Sequence, residues 1–130
     1  MKLCATECVF DELDDDGIAR VWFADQSQTP PTYFTLCRAA TDPGHNAYFE
    51  RDDQKWGSHG RVINAHLTTN SVTMQLDAGL AASLALKQVV EISFMLGKVE
   101  LNSLERCLVA ILGSDVVTRS LDHHDHSLQR

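Results

Sequence analysis

The hydrophobic period of this chain changes once, and that change restricts the fold more than any single motif. In the first 76 residues the apolar segments read as strands. "SVTMQL" alternates cleanly, with Val72, Met74 and Leu76 on one face and Thr73 and Gln75 on the other. "KLCATECVF", Ile18 to Phe23, "YFTLCRA" from Tyr33 and "AYFER" are further strand segments, separated by "DELDDDG", "DQSQTPPT" and "TDPGHN". "GRVINAHLTT" sets Ile63, Ala65 and Leu67 against Asn64 and His66, and the spacing predicts a hairpin of Arg61–Thr68 with Val72–Leu76. Helical spacing comes only later. Asp77 is placed to cap "DAGLAASLAL", with Leu80 and Leu84 one turn apart. After a strand carrying Val90, Ile92 and Phe94, "LNSLERCLVAILG" gives a stripe of Leu101, Leu104, Leu108, Ile111 and Leu112. Asn102 and Glu105 resemble a capping box, and Gly113 suits the helix end.

Strands first and helices late predict an α+β fold rather than alternating βαβ units. The expectation is a single, mostly antiparallel sheet of six or seven strands. Two helices, about 78–86 and 103–112, would pack on one face. Residues 1–119 would form one domain and 120–130 a polar, flexible tail.

Charge then narrows the function. Residues 1–54 hold 11 Asp/Glu against 4 Lys/Arg and carry the whole net charge of −7, while residues 55–130 balance. That argues against a basic nucleic-acid footprint and favours steering of a basic partner. No apolar run is long enough for a membrane span, and the start lacks a signal-peptide pattern, so a cytoplasmic location is expected. Cys4, Cys8, Cys37 and Cys107 form no CxxC pair and read as reduced thiols, Cys107 in the core.

The most eventful stretch is "YFERDDQKWGSHG", Tyr48 to Gly60. One reading is a small enzyme or ligand site around His45, Asp52, Asp53 and His59. Against it, adjacent Asp residues on a strand diverge, and Ser58-His59 shows no third triad member. The terminal "DHHDH" could bind metal only as a compositional tract. Gly57 and Gly60 are expected to supply positive φ in a connection before the hairpin. Trp56 is either a core plug, the choice that large aromatics favour, or an interface anchor ringed by charge. The candidate partner-binding residues are Asp14, Asp15, Asp16, Glu50, Asp52, Asp53, Gln54 and Trp56. No catalytic, cofactor or metal residue is assigned, and a third reading uses a sheet edge to form a homodimer.

From Tyr48 onward the order of features resembles the bacterial immunity protein 10 family of polymorphic toxin systems. The resemblance rests on "YFERDDQKWGSHG", "RVINAHL", the turn "TTN", "SVTMQLD", an Ala/Leu helix, "VVEISFML" and "LNSLERCLVAILG", about residues 46–113. It implies a non-enzyme without a cofactor. Such a protein would bind a cognate toxin domain in the cytoplasm, plugging its active site or blocking a movement. A basic, nuclease-like toxin would suit the acidic charge.

Overall fold

The computed structural model describes residues 1–12, 17–39 and 47–120, apart from the Gln54 side chain. The fold is α+β, with two helices and ten strands in two five-stranded sheets rather than one sheet of six or seven. The first is an antiparallel meander of β2 (Glu7–Asp11), β3 (Ile18–Asp25), β4 (Thr32–Ala39), β5 (Ala47–Arg51) and β6 (Asp53–Gly60) in chain order. The second, mixed sheet has the order β1 (Lys2–Cys4), β9 (Val89–Ser93), β8 (Ser71–Leu76), β7 (Val62–Leu67), β10 (Val117–Arg119). Its outer pairs, β1 with β9 and β10 with β7, are parallel.

The single-sheet expectation fails at two short junctions. Ala5 donates its N–H to Ser93 O in the mixed sheet, and the next residue, Thr6, donates to Ala24 O in the meander. "KLCATECVF" is therefore two strands serving two sheets. Arg61 alone separates β6 from β7 and makes the second crossing. Strands that change sheet are a usual way of building corners between packed sheets.

The core lies where the two sheets and helices meet. Val21, Phe23, Phe34, Leu36 and Phe49 come from the meander, and Leu67, Val72, Met74, Leu76, Val90 and Ile92 from the mixed sheet. The rings of Phe23 and Phe94 stack 6.2 Å apart at 9°, tying β3 to the segment after β9. The predicted β7–β8 hairpin forms, with one change. A register shift between Val62 and Asn64 turns Val62 inward and leaves Ile63 half exposed, where alternation placed Ile63 with Ala65 and Leu67.

The helices are corrected as well. Asp77 caps α1 (Ala78–Ser83) by accepting the Leu80 N–H at 2.8 Å, as its position suggests. The helix stops short of 86 because Ala85 takes a φ of 55°. The second helix, α2 (Lys98–Leu112), starts five residues before the expected boundary, at an N-cap of Gly97. Asn102 and Glu105 are not its cap; both accept from Arg119 on β10, at 2.7 and 2.8 Å. The expected stripe is real, for Leu101, Leu104, Leu108 and Ile111 are buried. The helices do not share one sheet face: α2 packs on β2, β3, β4 and β10, whereas α1 packs on β6. No helix among the described residues is long and apolar enough to cross a membrane.

None of the four cysteines is in a disulfide; Cys107 is buried and Cys4 exposed. Burial pushes the Cys8 and Cys107 thiols up to about 11, with nearby carboxylates adding to it. The thiolate is the reactive form. Mass spectrometry after brief iodoacetamide treatment of the native chain at pH 8 should find Cys4 alkylated first. Cys8 and Cys107 should react only on unfolding.

Candidate partner-binding surface

Each meander strand sends alternate side chains away from the core, onto a face that stays partly open to solvent. Register aligns one row straight across this face: Val9, Trp22, Thr35, Glu50 and Gly57. A second row holds Arg20, Cys37, Tyr48 and His59. Trp22, Tyr33, Thr35, Tyr48 and Glu50 are all half-buried. The sequence marks this face by Tyr-Phe pairs: Phe34 and Phe49 are inside, so Tyr33 and Tyr48 must be outside.

Glu50 is the centre of the face. Tyr33 donates its hydroxyl to Oε2 at 2.5 Å, and Tyr48 donates to Oε1 at 2.8 Å. Trp22 lies beside Tyr33, ring centroids 6.3 Å apart, and His59 meets Tyr48 edge-on at 5.4 Å. Among the described residues no Lys, Arg or His forms an ion pair with Glu50.

This network also titrates. Burial, then the hydrogen bond to Glu50 and nearby carboxylate charge, drives the Tyr33 phenol well above its ordinary value. For Tyr48 the hydrogen bond to Glu50 is the main cause, with burial second. Each phenol keeps its proton in the folded state beyond the pH at which the unfolded chain loses it. The stabilisation is therefore complete below about pH 10 and is lost as pH rises above that value. These are the only two tyrosines in the chain, so phenolate absorbance reports them alone. Native titration should show little phenolate at pH 10 and a steep rise coincident with unfolding. Glu50→Gln should bring the rise to lower pH.

The hairpin between β5 and β6 corrects the reading of "YFERDDQKWGSHG". Asp53–Gly60 is a strand, not a glycine-broken connection, and Gly57 and Gly60 pair with Glu50 and Ala47. The positive φ is taken by Asp52, at 63°, a conformation Asp tolerates. Asp52 Oδ1 accepts the Tyr33 N–H at 2.9 Å, and Asp53 Oδ1 accepts the Lys55 N–H at 3.1 Å, so both acids are occupied in shaping the turn. Gly60 is needed for packing: a Cβ there would lie 2.8 Å from Leu80 Cβ of α1.

Trp56 is not the core plug that aromatic packing favoured. It is half exposed, with the Arg51 guanidinium 4.5 Å and the Lys55 ammonium 5.6 Å from its ring centroid. Arg51 also donates Nε–H to Leu84 O at 2.8 Å, which puts this stack beside the end of α1 and not on the Glu50 face. Of the other candidates, Asp14, Asp15, Asp16 and the Gln54 side chain lie outside the described residues, as do His45 and the "DHHDH" tract. The alternative site around His45, Asp52, Asp53 and His59 does not assemble from its described members. Asp53 and His59 stand six residues apart on β6, about 20 Å.

A family model described as immunity protein 10 matches residues 4–102 of the chain. No curated protein and no solved structure matches it.

Proposed function

Because the chain belongs to the immunity protein 10 family, we propose that it binds a cognate bacterial toxin domain and neutralises it by occupying the toxin's surface, without catalysis. The observation that carries this reading is the extent of the family match, which spans all five meander strands and so every residue of the Glu50 face. That face joins half-buried aromatic rings to a fixed carboxylate, the make-up of an interface centre. A net charge of −7, concentrated before residue 55, favours a basic toxin domain through faster encounter. The protein would act in the cytoplasm and need no cofactor.

The test uses the toxin domain encoded by the adjacent upstream reading frame. Its expression alone should stop growth of a bacterial host, and co-expression of this chain should restore it. The purified pair should elute as one complex. Absence of both rescue and association would refute the reading.

A further inference from the structure

Resting on that toxin-binding reading, we propose that the Glu50 face receives an arginine side chain of the toxin domain, its guanidinium lying over Thr35 between the Glu50 carboxylate and the Trp22 ring. Three features support this geometry. The first is a gap with matched walls. Trp22 and Glu50 are two strands apart in one register row, about 9.5 Å, with the short Thr35 side chain between them in that row and the Tyr33 ring along one side, 6.3 Å from Trp22 and bonded to Glu50. Thr35 does not rise to fill the gap, for its hydroxyl turns back to donate to Val21 O at 2.7 Å. On the far side of Glu50 stands Gly57, which offers no side chain to cover the carboxylate.

The second feature is the carboxylate itself. Each oxygen accepts one phenol hydroxyl, and an ionised carboxylate has about four acceptor positions. Two neutral donors therefore orient the group and leave a position on each oxygen. A guanidinium can fill both with parallel N–H bonds, which a compact ammonium cannot. The two tyrosines hold the carboxylate in this pose before the partner arrives, reducing what binding must order.

The third feature is charge. Glu50 is half-buried and has no cationic partner among the described residues. An incoming cation is the group that complements it, and the indole and phenol faces beside it attract the same cation. The Arg51–Trp56 stack already shows this pairing within the chain, but there the cation is the protein's own.

The proposal is tested by calorimetry with the same toxin domain at 150 mM salt. Glu50→Gln should raise Kd by about 30-fold or more, mainly through faster dissociation. Trp22→Ala should raise it about tenfold. Glu91→Gln, on β9 of the mixed sheet and away from the slot, should change Kd less than about threefold. Near-ultraviolet circular dichroism shows whether each variant keeps its packing; the carboxamide that Glu50→Gln introduces still offers the two tyrosines one acceptor and one donor. Tight binding by the wild type together with binding by Glu50→Gln within about twofold would overturn the slot and leave toxin binding standing.

A second measurement does not depend on the toxin. Acetyl-arginine amide, titrated into the labelled chain, should move the Trp22 indole N–H signal and leave the Trp56 indole, already covered by Arg51, in place. The citrulline analogue should move neither, and Glu50→Gln should abolish the response. A response here without toxin binding would refute the toxin reading alone. Equal responses to arginine and citrulline would refute the slot.

Discussion

Phe23→Ala should lower the unfolding free energy by about 3–5 kcal/mol, the usual range for removing a buried phenyl ring. Phe23 is fully buried on β3, and its ring stacks on Phe94 beyond the end of β9. The loss therefore removes more than transfer free energy from one sheet. It opens a void where meander and mixed sheet meet, and neither sheet can close it without moving the other. In a domain of this size the melting temperature should fall by roughly 10–20 °C. Urea unfolding should show the same loss as a lower midpoint with little change in slope. A loss below about 1 kcal/mol would mean that Phe23 does not join the sheets.

Gly60→Val is the second large effect, with an expected cost of about 3 kcal/mol. Backbone strain is not the cause, since β6 is extended at Gly60. The cause is Leu80: a Cβ at residue 60 would lie 2.8 Å from Leu80 Cβ and 2.9 Å from Leu80 Cδ1. The first of these atoms is fixed by the backbone of α1, so the helix must shift from β6. Leu80→Ala removes the outer atoms but not Cβ, so the double variant should recover only part of the loss. Strictly additive losses in the double-mutant cycle would show that the two residues do not meet.

The sequence disclosed those parts of the fold whose pattern is local. Val72, Met74 and Leu76 alternate without interruption, and Leu101 to Ile111 keep helical spacing, so strand β8 and helix α2 could be read directly. The division into two sheets could not. At Ala5 and Thr6 the backbone changes hydrogen-bonding partner with no glycine, proline or charge to mark it. β10, three residues long, has no periodicity to detect. Gly60 was legible as a special position but not for its reason, because the atom it accommodates comes twenty residues later. The same holds for the candidate surface. Glu50 is a candidate from the sequence alone, yet Trp22 and Tyr33 become its neighbours only once register is known. Trp56 stands in a polar segment of the sequence, and its partner is Arg51 of the same hairpin.

The parallel pairs at the two edges of the mixed sheet bear on the order in which the protein can be made. The first residue donates to Val89 O, 88 positions later, and His66 finds Thr118 only after 52 more residues have followed it. As the chain leaves the ribosome, strands β2 to β6 can pair with one another in sequence, each with the strand just made. The mixed sheet has no such course. Its opening strand must wait for β9, and β7 must wait for β10, which is made only after α2. Closing such distant pairs is slow relative to local pairing. A chain cut short before residue 117 would thus keep every residue of the Glu50 face and still lack one edge of the sheet behind it. The sheet behind the Glu50 face should therefore close only once Val117–Arg119 has been made and paired with β7.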